Sequence, residues 1–593
     1  MGLEKLCRLV FKTCSNTLAS GKRNNLCAVG SFYNDVQKRS SSDGKPAKTS
    51  VRDGPSLEHF MSIYKTRPQS QKHDLVSDVP FIDESDLQGR GRKVYFDVHG
   101  CQMNTSDTEI AWSVLQSKGF ERTTDIKEAA IVLVMTCAIR EGAEQKIWNK
   151  LHYLARLKRT LPLKKGGHRL KIGILGCMAE RLKSQILERE KGVVDLVCGP
   201  DAYRDLPRLL AITHNQQTAV NVLLSLEETY ADVMPVRLNE GAVSAYVSIM
   251  RGCDNMCAYC IVPFTRGRER SRPIDSIMDE IKMLSDQGVR EVILLGQNVN
   301  SYRDLSESQF YGVPDPAPPT PLREGFLTVY KARSGGRRFA DLLDKVSRID
   351  PDMRIRFTSP HPKDFPDEVL ELIRDRDNIC NQLHLPAQSG NNTVLAAMRR
   401  GYTVEAYRDL VARVREILPD VALTSDFISG FCGETETGHQ ETLALVRDIG
   451  YTMVFAYPYS MREKTHAYHR LQDDVPEDVK GRRYQELLQV FREGAGQANM
   501  AQRGHHHLVL VEGESKKGPG TLFGKNEAGI AVIFPATDVP HGSTVQTPVP
   551  GDYAVVKITD STAQTLFGDC VSLTSLKEFK NSSSERTLHS QLD

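Results

Sequence analysis

From residue 93 onward the chain alternates between two hydrophobic periods. Residues 93–98, 129–135 and 171–175 are short apolar runs of strand length. Each is followed by apolar positions at helical spacing, near 107–118, 141–158 and 179–190. This alternation predicts an α/β domain with a mainly parallel sheet over 93–215. The pattern resumes in 239–498, where 245–249, 289–295, 354–358, 379–385, 421–426 and 453–457 read as strands. Residues 274–287, 367–374, 404–417 and 436–449 read as the helices between them. Such a chain closes into a full or partial β/α barrel, with function at the carboxyl ends of its strands. Proline-rich residues 303–338 read as a surface insertion. Short β runs broken by Gly and Pro then predict a small β-barrel over 499–574 and a disordered tail over 575–593.

Composition narrows this picture. The chain has 593 residues, 40% hydrophobic and 26% charged, as expected of a globular protein of several domains. No apolar run reaches bilayer length, so no membrane insertion is expected. A net charge of +2 supplies no global field for nucleic acid, so any RNA affinity must be local. Thirteen cysteines, an odd number in a long chain, do not suggest a secreted disulfide framework. Residues 1–50 hold nine Lys/Arg against three acids, with Leu3, Leu6, Val10 and Phe11 on one helical face. That composition predicts a mitochondrial transit peptide, followed by a linker over 51–92.

Two sets of cysteines stand out. Cys253, Cys257 and Cys260 form a compact C-x3-C-x2-C group just past the first strand of the predicted barrel. A zinc site would want a fourth Cys or His, and none is close in sequence. Three thiolates on a four-iron cluster leave one iron open for a ligand. Cys101, Cys137 and Cys177 lie far apart in sequence, yet each follows a predicted strand and precedes a predicted helix. In a parallel sheet those turns gather at one edge, so the three converge on one site and again leave an open iron. Cys198, Cys380, Cys432 and Cys570 lack this placement and read as packing.

The compact motif, with Tyr259 before its last cysteine, resembles that of the radical S-adenosylmethionine superfamily. Together with the dispersed cysteines and the domain order, it resembles the MiaB-type methylthiotransferases over residues 93–574. The stretches Leu295–Val299, His384–Gly390, Met398–Tyr402 and Asp426–Thr435 support this likeness, and the C-terminal barrel looks like a TRAM RNA-binding domain. The resemblance implies two [4Fe–4S] clusters and S-adenosyl-L-methionine. Cys253, Cys257 and Cys260 would be both metal ligands and catalytic residues, and Cys101, Cys137 and Cys177 would be metal ligands. Tyr259, Gln297 and Gln388 would bind the cofactor. The implied reaction is radical methylthiolation at C2 of N6-dimethylallyl-adenosine, position 37 in the anticodon loop of tRNA, in the mitochondrial matrix.

Rival expectations within the family are threonylcarbamoyl-adenosine in tRNA and a ribosomal-protein aspartate. A rival of another class is a protein-binding regulator, with a kinase-activator partner, that keeps the iron–sulfur fold as a scaffold. Nothing in the residues identifies an electron donor or a sulfur source. Arg266, Arg268, Arg270 and Arg272 are expected to meet RNA phosphates, and His505, His506 and His507 to be solvated. Lys525 stands where relatives usually carry Arg.

Overall fold

The computed structural model describes residues 82–582 apart from 139–140, 162–168, 190–191, 215–216, 307–324, 328–334 and 517. The transit segment and residues 51–81 of the linker lie outside the described residues; the rest of the linker includes a helical turn at Glu84–Leu87. Among the described residues, no helix is long and apolar enough to cross a membrane.

The N-terminal domain is an all-parallel six-stranded sheet. Its order is Glu121–Arg122, Lys93–Val98, Ile131–Thr136, Lys171–Gly176, Leu196–Cys198, Ala219–Asn221. Ile131–Thr136 is buried at every position because both faces of the sheet are covered. Ile131, Leu133 and Met135 pack with Ile110, Trp112 and Leu209 on one face. Val132 and Val134 pack with Ile147, Leu151 and Leu182 on the other. The helix expected near 107–118 starts earlier, at Gln102, directly after Cys101. From 230 to 238 the chain runs back along that helix. There Ser113 donates to the Met234 carbonyl, and the Leu238 amide donates to Glu109.

The second domain is a partial barrel. Strands Ser244–Ser248, Glu291–Leu295 and Arg354–Phe357 form one parallel sheet, and Gln382–His384, Ala422–Ser429 and Met453–Pro458 form another. A parallel bridge between Ile355 and Ile379 joins the two. Among the described residues, no pairing closes the first strand onto the last. Helices Val404–Ile417 and Glu436–Ile449 have the expected bounds. Thr403 and Thr435 cap their N-termini through side-chain hydrogen bonds. The insertion leaves and re-enters through an antiparallel pair, Arg303–Asp304 with Arg337–Arg338. Most of what lies between falls outside the described residues.

Helix Glu477–Met500, which the hydrophobic pattern did not announce, runs from this domain to the last. The C-terminal domain is a closed barrel in which His506–Glu514, Thr521–Lys525, Ala531–Pro535, Thr565–Thr574 and Tyr553–Ser561 pair in ring order. Arg354 and Arg356 bind it to the second domain. Their guanidinium groups donate to the carbonyls of Leu508, Lys525, Asn526 and Glu527. The expected disordered tail begins differently: residues 576–582 are helical, and Leu576 is buried with Leu508 and Tyr553. His507 is likewise not simply solvated. It is half-buried and bonded to Gln502 and Asn526, and burial pushes its imidazole down to about 4.

Candidate metal centres

The dispersed cysteines come together because parallel strands end in register. Val98 pairs with Met135, and Thr136 pairs with Gly176, so all three chain turns leave the same edge of the sheet. Cys101 is the N-cap of helix Gln102–Gln116, and Cys137 follows its strand directly. Cys177 is not in a turn as expected. It is the first residue of helix Cys177–Arg189. Gly100, at φ +107, makes room for the approach, since a Cβ there would meet the Cβ of Cys137 at 2.4 Å. The Cys101 thiol is pushed down to about 6, chiefly by its hydrogen bond with Cys137, helped by the charge of Arg266. Burial raises the thiol of Cys177.

Arg266 reaches this site from the second domain. Its Nε donates to Cys177 Sγ at 3.2 Å, and its Nη2 donates to Asp107 Oδ2 at 2.7 Å. Asp107, fully buried, also faces Arg251 Nη1 at 2.8 Å. Burial works to raise its carboxyl, but Arg251 and Arg266 outweigh that and hold it below the ordinary carboxylate range.

The compact cysteines sit on the loop after strand Ser244–Ser248. Gly252, at φ +73, lets the chain pass the Arg268 carbonyl, which a Cβ would meet at 2.1 Å. The loop is clamped through Ala258. Its amide donates to the Met398 carbonyl at 2.8 Å, and its carbonyl accepts from the Ala467 amide at 2.8 Å. Arg400, buried, donates to Cys257 Sγ at 3.3 Å and to the Pro386 carbonyl at 3.0 Å. Burial, then mutual repulsion, raises the thiol of Cys253, and the same causes push Cys260 up to about 12. Thiols held up in this way, as those of Cys253 and Cys260 are, are suited to a cationic centre that would stabilise them as thiolates.

Each donor set is three free cysteines, which suits an iron–sulfur cluster that takes each thiolate on a different iron. The two groups are neighbours. Ile261, next to Cys260, packs on Cys177 and on Ala138, next to Cys137.

Of the other expected cofactor residues, Tyr259 lies within the compact group, while Gln297 and Gln388 follow strands Glu291–Leu295 and Gln382–His384 of the same domain. Arg400 donates to the Tyr259 hydroxyl at 3.4 Å. Gln388 holds φ +70, rare outside glycine, and is pinned by backbone bonds to Asp426 and Ile428. Gln297 follows Gly296, which packs on Met250. Its Oε1 is buried and has no hydrogen-bond partner among the described residues, as suits a ligand contact.

The expected phosphate arginines need correction. Arg266, Arg270 and Arg272 are buried, and they pair with Asp107, Asp201 and Glu280. Arg268 pairs with Asp254 at 2.7 Å. Carboxylates supplied by the fold already take these cations: Arg266 and Arg270 brace the domain junction through Asp107 and Asp201, while Arg272 and Arg268 pair within their own domain with Glu280 and Asp254. The sequence reading also missed Asp107, Arg251 and Arg400. The available signals were an Asn and an Asp three and six residues past Cys101, and an Arg–Gly immediately before Cys253.

The chain was compared with known proteins. The Radical SAM superfamily matches residues 247–446, uncharacterized protein family UPF0004 matches 93–199 and the TRAM domain matches 501–571. A Mus musculus protein, "Mitochondrial tRNA methylthiotransferase CDK5RAP1", is 56% identical over 91% of this chain and 92% of its own length. The Homo sapiens protein of the same name is 56% identical over 88% and 89%. A "tRNA-2-methylthio-N(6)-dimethylallyladenosine synthase" of Chloroherpeton thalassium is 44% identical over 84% of this chain and all of its own length.

Proposed function

The chain belongs to the tRNA methylthiotransferase family of those relatives, and on that premise we propose that it converts N6-dimethylallyl-adenosine at position 37 of mitochondrial tRNA to the 2-methylthio form. It is a radical SAM enzyme with an iron–sulfur cluster, S-adenosylmethionine and a tRNA substrate. In our reading there are two clusters, one on Cys253, Cys257 and Cys260 and one on Cys101, Cys137 and Cys177. We assign the matrix as its compartment, reached through the basic segment 1–50.

When bound, the clusters supply reductive cleavage of S-adenosylmethionine on one side and a holding point for sulfur on the other. The chain supplies position. The packing of Ile261 on Cys177 and Ala138 is the observation that carries the reading: it sets the sulfur-holding residues beside the radical-generating ones. Arg266 keeps that spacing, because it leaves the compact loop and bonds to Cys177 and Asp107 in the other domain. Arg400 ties Cys257 to Tyr259 and to the 386–388 turn. In this assignment Gln297 and Gln388 line the cofactor's seat, and the C-terminal barrel grips tRNA outside it.

The test is nucleoside mass spectrometry of mitochondrial tRNA from cells lacking the protein. The methylthio-dimethylallyl nucleoside should vanish and its dimethylallyl precursor accumulate. Persistence of the methylthio form would overturn the substrate assignment.

A further inference from the structure

With Arg266 to Arg272 committed to carboxylates, the site still lacks a surface for the RNA around its target base. One strip beside the cysteine loop has the right chemistry. The two segments that clamp Ala258 continue directly into exposed basic side chains. Met398 is followed by Arg399, and Ala467 lies among Lys464, His469 and Arg470, with His466 half-buried beside it. Arg399 Nη1 meets His466 Nδ1 at 3.3 Å, which joins the two segments into one surface. Among the described residues, no carboxylate stands within ion-pair distance of Arg399, Lys464 or Arg470. Glu463 beside Lys464 is the opposing exposed acid. Asp473 and Asp474 are turned to Lys480 and to the Gly433 amide.

Backbone conformation adds a second observation. Arg399 and Lys464 both hold positive φ, 59° and 72°. Such conformations cost free energy for residues with a Cβ, and they cluster at working sites. A third observation is aromatic. Tyr468 is 47% exposed and stands edge-on to the His469 ring at 5.2 Å. Exposed rings interleaved with unpaired cations suit unpaired bases and their phosphates. Arg399 and His466 flank the compact loop, each next to a residue whose backbone clamps Ala258.

We propose that Arg399, Lys464, His466, Tyr468, His469 and Arg470 form the docking strip for the single-stranded RNA flanking the target base, with phosphates on the cations and one base stacked on Tyr468. This rests on the tRNA reading above.

The test uses the reconstituted full-length protein and a synthetic anticodon stem–loop RNA, with affinity measured across a salt series. Tyr468→Ala should weaken binding about tenfold. Lys464→Gln with Arg470→Gln should weaken it and flatten the slope of log affinity against log salt by roughly 1.4, about 0.7 per lost single-strand phosphate contact. Lys464→Arg should keep the wild-type slope. Unchanged iron content and melting temperature would show that the variants are folded. If wild type binds and both charge-removed and Tyr468→Ala forms bind equally well, the strip is not the RNA surface. If instead those forms bind RNA normally but are reduced more slowly by an acidic electron-transfer protein, the strip serves a protein and the proposal falls. If wild type itself fails to bind the RNA, the tRNA reading fails and takes the strip with it.

Discussion

The two cysteine groups face the same chemical requirement and meet it by opposite routes. Cys253, Cys257 and Cys260 sit on one loop, clamped by backbone bonds to Met398 and Ala467. Cys101, Cys137 and Cys177 come from three crossovers of a parallel sheet, and a side chain from another domain braces them. Each group receives one buried guanidinium on one sulfur, Arg400 on Cys257 and Arg266 on Cys177. Arg400 belongs to the domain it serves, whereas Arg266 crosses a domain boundary. The compact group is therefore a property of a loop in its barrel. The dispersed group is a property of the assembled protein, and it should be the first to fail when the junction is disturbed.

The largest test of this contrast removes each group in turn. Replacing Cys253, Cys257 and Cys260 by Ala should abolish cofactor cleavage. Replacing Cys101, Cys137 and Cys177 should leave cleavage but eliminate the methylthio product. In both cases iron should fall from about eight to about four per chain, read by iron assay and chromatographic product analysis. Iron unchanged in either variant would break the comparison.

The next largest effect falls on Asp107, which lies between two buried guanidinium groups. Asp107→Ala leaves Arg266 without its carboxylate and Arg251 with only Glu228 at 3.9 Å, and should destabilise the folded protein by about 3–5 kcal/mol, measured by urea unfolding. The iron of the dispersed group should be lost ahead of that of the compact group. Equal loss from both would remove the distinction.

A pH measurement sharpens the account of the junction. Glu109 is half-buried where the 230–238 segment crosses its helix, and desolvation there raises its carboxyl to about 7. A carboxyl raised on folding contributes stability that is fully present below its unfolded value near 4.5 and is lost as pH rises through about 7. Glu109→Gln should therefore change little at pH 4.5 and gain about 2 kcal/mol at pH 8, checked by denaturation at both values.

The smallest effect separates the two arginines. Arg400→Lys keeps the charge but loses the fork that reaches Cys257, Tyr259 and Pro386 together. It should lower the potential of the compact group's cluster by on the order of tens of millivolts, because a hydrogen bond to sulfur favours the reduced, more negative form. Arg266→Lys should do the same to the dispersed group alone. Redox titration followed by electron paramagnetic resonance distinguishes them.

How much was legible in advance differs by element, for physical reasons. Helices Val404–Ile417 and Glu436–Ile449 could be bounded from sequence because their apolar period is regular and local chemistry marks their ends: Thr caps at the start, and Gly450 in the left-handed conformation after the second. Helix Glu477–Met500 could not, because its buried side includes Lys480, Arg483 and Asn499, which find partners on other elements in Asp473, Glu434 and the Thr562 carbonyl. Strand Thr521–Lys525 was hidden by Gly524. That position needs glycine because the Leu510 carbonyl would stand 2.1 Å from any Cβ.

The arginines after the compact motif were misread for a related reason. In sequence they look like a solvated basic turn. In the fold Asp107, 159 residues from Arg266, and Asp201, 69 residues from Arg270, neutralise them. By itself, then, the sequence determined the spacing of Cys253, Cys257 and Cys260, the strand–helix alternation and the family likeness, since each rests on neighbours in the chain or on hydrophobic periodicity. Only the tertiary structure decided which charges are spent in buried pairs, which remain exposed beside the site, and how Ile261, next to Cys260, comes to pack against Cys177 of another domain. Those outcomes depend on pairs of residues far apart in the chain, and the energy of a buried ion pair exists only once both partners have left water together.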